Sequence, residues 1–280
     1  MKELTPREVQ LGELSVLKKL AQICEELNLR YFLFYGTLLG AVRHQGFIPW
    51  DDDIDIAMPR EDYETLVQYL IDHEQQLYPY KVMSYRSNSD YIYPICRFCD
   101  TRYYIDYRGT TEYGLGLFVD IYPFDGYGNT QKEKTKLYRK SWILNRLVFQ
   151  AGMKSFEKSE TASWRTPFKY LIYGTAKLIG CRKLLPMLDN WARQRSFRED
   201  AWVDCVVWMP TRGGFPRELF DETAYIRFED QDFAVPAAYD RLLTLRYGDY
   251  MKLPPEKDRI AHHYYTAYLL DEEEMKQKNS

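Results

Sequence analysis

The sequence predicts an α+β fold: a mixed sheet flanked by helices, with a long basic helical insertion. Three observations carry this. Short aromatic or apolar runs such as "RYFLFY" and "LFVDIYPFDG" stop at glycine or proline and are too short for helices. Amphipathic helical patterns stand between them. Residues 132–198 hold sixteen Lys and Arg against four acids, a charge of +12 that leaves −15 for the remainder of a chain with net charge −3.

The 280 residues are enough for one large domain or a domain with an annex. An apolar fraction of 45% and an aromatic fraction of 16% argue against disorder. The five cysteines, an odd number without repeated spacing, and an N-terminus without an apolar core predict a reduced, cytoplasmic protein. Cys96-x-x-Cys99 lacks a second pair nearby and reads as ordinary burial rather than a zinc site. No apolar window is long enough to span a bilayer.

Along the chain, Thr5-Pro6-Arg7-Glu8 is a capping box that opens a helix whose apolar stripe runs from Leu11 to Leu27. A buried strand at 30–35 turns at Gly36 into a short helix, 37–44. The loop 45–50 delivers a second strand, 53–57, and Pro59 opens another helix. Strands are expected at 80–85, 92–98, 102–106 and 117–122. The basic segment is expected to be helical, broken by Pro167 and Pro186. A strand at 203–209, a hairpin centred on Asp230-Gln231 and a helix 239–247 stopped by Gly248 follow. These elements group as a catalytic core, 1–129, a basic helical insertion, 130–199, and the C-terminal part of the same domain, 200–280.

The chemistry concentrates in "GTLLGAVRHQGFIPWDDDIDIAM", residues 36–58. In Asp53-Ile54-Asp55-Ile56 the alternation puts two carboxylates on one face and two isoleucines in the core. Carboxylates that close disfavour each other's ionisation unless a cation holds them, and an oxygen-only donor set suits Mg2+ or Mn2+. The EF-hand alternative fails, because the sixth position is Ile56 rather than glycine. A solvated acidic loop does not need the alternation. Upstream, the Gly36-Thr37 turn at a helix N-terminus suits a phosphate. Downstream, Asp120 stands alone between Val119 and Ile121. This order of elements resembles the polymerase-beta-like nucleotidyltransferase fold, where a third carboxylate lies beside the first two.

Residues 36–58 also resemble the signature of the LicD family, and Phe215 to Pro255 resembles that family's C-terminal block. The resemblance runs from about Leu17 to His263, weakest over the basic helices. LicD proteins are phosphotransferases that move phosphocholine from CDP-choline to cell-surface glycans, and fukutin and fukutin-related protein are relatives. The resemblance implies that Asp53 and Asp55 are metal ligands, with Asp51 and Asp120 as additional carboxylates; Asp52 is left facing solvent. It places Gly36 and Thr37 at the phosphates and Arg43 and Arg97 as compensating charges. Trp50 is a candidate for stacking on a base or choline, His262 and His263 for substrate binding, and Tyr103, Tyr104 and Tyr107 for an aromatic cage around a quaternary ammonium.

The expected reaction is Mg2+-dependent attack by a glycan or lipid-linked glycan hydroxyl on a CDP-alcohol, with release of CMP. Two alternatives stay open: nucleotidyl transfer with release of pyrophosphate, and a D-x-D glycosyltransferase reading of Asp51-Asp52-Asp53. A binding scaffold that has lost catalysis is disfavoured by the intact carboxylates. The basic segment permits peripheral contact with an anionic membrane at the inner face. No nucleic-acid motif accompanies the charge.

Overall fold

A computed structural model describes residues 1–107, 115–153, 166–208, 210–260, 265–271 and 273–275. The elements, in chain order, are β1 (Lys2–Glu3), α1 (Pro6–Glu26), β2 (Phe32–Leu33), α2 (Tyr35–His44), β3 (Asp55–Pro59), α3 (Arg60–Asp72), α4 (Glu74–Leu77), β4 (Tyr80–Met83), β5 (Cys96–Asp100), β6 (Tyr103–Tyr107) and β7 (Leu117–Gly128). Then come the helices α5 (Gln131–Gly152), α6 (Thr166–Ile179) and α7 (Cys181–Ala192), followed by β8 (Trp202–Asp204), β9 (Phe215–Pro216), β10 (Thr223–Phe228), β11 (Gln231–Pro236), α8 (Tyr239–Tyr247) and β12 (Tyr265–Leu269).

The main sheet is mixed. Its path is β2-β3-β7-β5-β4, with β8 and β9 continuing from the far half of β7. Among the described residues only the β3–β7 pair of this sheet is parallel. All twelve residues of β7 are buried, as expected for a central strand covered on both faces. Helix α1 starts at the capping box: Thr5 accepts from the Glu8 N–H, and the Glu8 side chain reaches back to the Thr5 N–H. Its apolar stripe from Leu14 to Cys24 is part of the core, with Leu27 packed at the edge, whereas Leu11, expected on the stripe, is exposed.

The basic helices stand between β7 and β8. Asp189 of α7 fastens them to the sheet: it accepts from Arg60 Nη1 at 2.8 Å, Arg86 Nη2 at 3.0 Å, Arg193 Nε at 3.0 Å and the Tyr85 hydroxyl at 2.7 Å. Arg60 also grips Asp125 of β7 with two bonds of 2.7 and 2.6 Å. Burial works against the Asp189 charge, yet these cations hold its carboxyl below the ordinary range.

Several boundaries differ from expectation for local reasons. Pro186 lies inside α7; the N–H it lacks falls opposite the carbonyl of Arg182, an exposed residue. The break comes instead at Gly180, in the left-handed region at φ +78°. The strand expected at 203–209 stops at Asp204, whose carboxylate accepts from the N–H groups of Cys205 and Thr211 and turns the chain. The hairpin, helix α8 and its Gly248 stop match the sequence pattern. All five cysteines are free, and among the described residues no helix is long and apolar enough to cross a membrane.

Candidate active site

Three adjacent strands set the site. Asp55 of β3 and Asp120 of β7 are register partners, and Arg97 of β5 is the partner of Asp120 on its other side. Neighbouring strands lie about 4.8 Å apart, so the three side chains form a row across the sheet. Arg97 Nε donates to Asp120 Oδ1 at 2.6 Å and Nη2 to Oδ2 at 3.3 Å, and its guanidinium lies over Phe118 and Tyr93. Arg97 therefore neutralises a carboxylate rather than lining the cleft described below.

Strand β3 begins at Asp55, so Asp53 lies just outside it rather than within it. The alternation still governs burial: Ile54 and Ile56 are fully buried and Asp53 is half-buried. Asp55 is 5% exposed, and its Oδ1 has no hydrogen-bond partner. Burial, then Asp53, Asp120 and Asp51, push the Asp55 carboxyl well up, against a stabilising bond from the Tyr122 hydroxyl. Asp51, Asp52 and Asp53 bring carboxylate oxygens within 4.8 Å of one another. Asp52, expected at the solvent side, thus joins the cluster.

Helix α2 begins at Tyr35, two residues before its expected start, and Tyr35 itself takes a left-handed backbone at φ +45°. For a tyrosine this conformation costs about 1–2 kcal/mol. Edge contacts with Phe34 and Tyr122 and the Arg246 guanidinium over its ring hold it. The first N–H groups of α2, through Thr37, have no intrahelical partner and lie beside the acidic loop. Gly36 is required by close approach: a Cβ there would stand 2.5 Å from Asp51 Oδ2. Thr37 turns its hydroxyl inward and accepts from the Asp55 N–H at 2.8 Å, so its side chain positions the strand.

These groups open into a cleft of about 540 Å3. One wall is Gly36, Leu39, Arg43, Ile48 and Trp50; the floor is Asp51, Asp53 and Asp55. The other wall, Tyr247, Asp249, Tyr250, Lys252, Pro254 and Asp258, comes from the chain after α8. Arg43 ties the walls together through a 3.0 Å bond from Nη1 to the Tyr250 carbonyl. Trp50 meets His44 edge-on and lies beneath the Arg259 guanidinium. Tyr103 and Tyr104 lie on β6, in a separate three-stranded sheet with β12 and β1, and line no part of the cleft. Tyr107 ends that strand. His262 and His263 lie outside the described residues.

The sequence reading missed Glu13, Gln10 and Tyr265. Gln10 Nε2 donates to the Asp51 carbonyl at 2.9 Å, and the Tyr265 hydroxyl lies 2.9 Å from the Asp52 carbonyl and 3.2 Å from Glu13 Oε1. Glu13 is fully buried. Burial, then Asp53 and Asp52, raise its carboxyl well above the usual range. A signal was present: Glu13 sits on the helical stripe of Val16, Leu17 and Leu20, where a carboxylate is out of place.

The donor set fits a divalent cation. It is oxygen-only, Asp51, Asp52 and Asp53 converge, and in Asp55, which lines the same cleft, a buried carboxylate oxygen lacks a partner. A mixed sheet with carboxylates in register on neighbouring strands, beside a helix N-terminus, defines a nucleotidyltransferase fold. The chain belongs to the LicD family. Residues 28–161 match the family model for the LicD/FKTN/FKRP nucleotidyltransferase domain. The chain is 32% identical to the lipopolysaccharide cholinephosphotransferase LicD of Haemophilus influenzae over 276 residues, 96% of this chain and all of that protein. Human ribitol 5-phosphate transferase FKRP is 48% identical over 40 residues, 14% of this chain and 8% of its own. An uncharacterized Rickettsia typhi protein is 33% identical over 125 residues, 44% of this chain and 38% of its own.

Proposed function

We propose that this protein transfers a phosphorylated alcohol, phosphocholine first among the candidates, from a CDP-alcohol to a hydroxyl of a cell-surface glycan or lipid-linked glycan precursor and releases CMP. The observation that carries the reading is the register pairing of Asp55, on the floor of a cleft that also holds Asp51 and Asp53, with Asp120 on the neighbouring strand. Both functionally named relatives transfer phosphorylated alcohols, choline phosphate in one and ribitol 5-phosphate in the other.

Asp51, Asp53 and Asp55 would hold Mg2+ or Mn2+, which when bound neutralises charge on the donor diphosphate. Arg43 and Lys252 line the same cleft and add positive charge for that diphosphate. The N-terminus of α2 seats a phosphate oxygen beside Gly36. Asp120, ion-paired with Arg97, takes the proton of the attacking hydroxyl. Most of the rate enhancement then comes from positioning and electrostatics.

The reaction is assigned to the cytoplasmic side. Helix α5 carries Lys132, Lys136, Arg139 and Arg146 along one exposed face with Trp142, Ile143 and Phe149 exposed among them, a surface complementary to an anionic bilayer.

The decisive experiment incubates pure protein and Mg2+ with CDP-choline, CDP-ribitol or CDP-glycerol and candidate glycans, and measures CMP against pyrophosphate. CMP release that Asp55→Asn lowers at least about a hundredfold is the expected result, since even outer partners of a metal site cost 10–100-fold when changed. Pyrophosphate from a nucleoside triphosphate would instead establish nucleotidyl transfer, and hydrolysis or transfer of UDP-sugars alone would establish the glycosyltransferase.

A further inference from the structure

We infer that Glu13 supplies a further carboxylate oxygen, Oε2, to the cation held by the aspartates, with Tyr265 fixing the other oxygen for that task. The inference rests on the metal-dependent reading above.

Glu13 projects from the middle of α1, and none of its surface is exposed. Oε2 has no hydrogen-bond partner. Oε1 meets the Tyr265 hydroxyl at 3.2 Å, but the same hydroxyl lies closer, at 2.9 Å, to the Asp52 carbonyl. One hydroxyl proton serves one of these two acceptors at a time, so Glu13 is under-satisfied. The charges that act on it most strongly are Asp53 and Asp52, with Asp120 behind them. A buried carboxyl with an orphan oxygen among like charges either keeps its proton or shares a cation with them.

The surroundings also exclude a plain packing role. The neighbouring α1 positions Val16, Leu17 and Leu20 are buried in the core, and a leucine would fill the Glu13 position without an unmet polar atom. Gln10, one turn earlier, binds the Asp51 carbonyl, and the Tyr265 hydroxyl bridges Glu13 to the Asp52 carbonyl, so α1 is tied to the acidic loop at two points.

The test is Mn2+ titration of the full-length protein by calorimetry, with the Mn2+ electron paramagnetic resonance spectrum recorded alongside. Wild type is expected to bind Mn2+ and Asp53→Ala to lose it. Glu13→Gln, which keeps shape and removes the negative oxygen, is expected to bind about tenfold or more weakly and to alter the spectrum, with metal-free melting unchanged or raised. Tyr265→Phe is expected to weaken binding severalfold, and it carries the test if Glu13→Gln does not fold. Unchanged Mn2+ affinity in these variants, with Asp53→Ala inactive in binding, overturns the role of Glu13 and leaves the aspartate site standing. Absence of Mn2+ binding in wild type overturns both.

Discussion

Asp55 and Asp120 face each other as register partners on parallel strands, and Arg97, the register partner of Asp120 on its other side, grips Asp120 with two bonds. The two carboxylates therefore have different tasks: Asp120 is accompanied by a cation of the fold, whereas Asp55 lines the cleft and keeps a buried oxygen without a partner. Such a division lets one sheet bury both groups without pairing both.

The Arg97–Asp120 pair is nearly buried on both sides, so removing one member strands the other. Arg97→Met is expected to destabilise the protein by about 3–5 kcal/mol, the usual cost of breaking a buried pair from one side. Arg97→Met with Asp120→Asn should recover much of that loss in urea unfolding, while CMP release stays abolished because Asp120 is gone. If the double variant is no more stable than Arg97→Met, the stacking of Arg97 on Phe118 and Tyr93, rather than charge pairing, dominates its contribution.

The metal-free protein is expected to lose stability as pH rises from 5 to 8. The Asp55 and Glu13 carboxyls are both raised in the folded state, by burial first and by neighbouring aspartates second. Their protons are held in the folded chain and released in the unfolded one above about pH 4–4.5. The contribution is full below that range and is lost as pH climbs toward the folded values. The depressed carboxyls, Asp189 and Glu64 among them, act oppositely but only at lower pH; within the window Asp204, pushed up to about 6 by burial, adds to the slope, and His44, lowered by burial, works against it. Melting in EDTA across this range measures the slope. Mn2+ at a hundred times its pH 8 dissociation constant should add about 2.7 kcal/mol at pH 8, and the same concentration should add less at pH 5, because the ligands bind deprotonated. A melting temperature in EDTA that rises across this window would rule the assignment out.

Local rules made much of the fold legible. The Thr5–Glu8 box, the Gly248 stop and the Ile54/Ile56 alternation depend on neighbours a few residues away, and each appears where the pattern places it. The register of Asp55 against Asp120 is different in kind. It joins strands with some sixty residues between them, and only the order of motifs hinted at it. Glu13 was hidden because helical periodicity explains its neighbours and gives no reason to look at the exception. The second wall of the cleft, Tyr247 to Asp258, is mostly loop, and loop positions carry no period to read. The end of a strand at Asp204 depends on a side chain folding back on its own backbone, which competes with the apolar run that follows.

Gly36 offers a test of Asp51 that leaves every carboxylate in place. A methyl group at Gly36 would meet Asp51 Oδ2 at 2.5 Å, and that oxygen is the mobile end of a side chain. Gly36→Ala should therefore leave melting unchanged or slightly raised, since alanine in a helix is favoured over glycine by about 0.5–1 kcal/mol. Its Mn2+ affinity and CMP release should each fall about tenfold as Asp51 is pushed aside. Wild-type affinity in this variant, measured by the same calorimetry, would mean that Asp51 does not reach the cation.

The exposed face of α5 has its own expected behaviour. Trp142, Ile143 and Phe149 are each at least half exposed, and Lys132, Lys136, Arg139 and Arg146 flank them. Basic residues near an anionic bilayer contribute about 1 kcal/mol each, and the attraction is screened within about 10 Å at 0.1 M salt. The protein should co-sediment with phosphatidylglycerol vesicles at low salt, less at 0.5 M salt, and little with phosphatidylcholine. Trp142→Glu with Phe149→Glu should abolish sedimentation while CMP release with a soluble acceptor is unchanged, because neither residue lines the cleft. Equal sedimentation of the variant would move the contact elsewhere on the molecule, and no sedimentation of wild type would end the membrane reading.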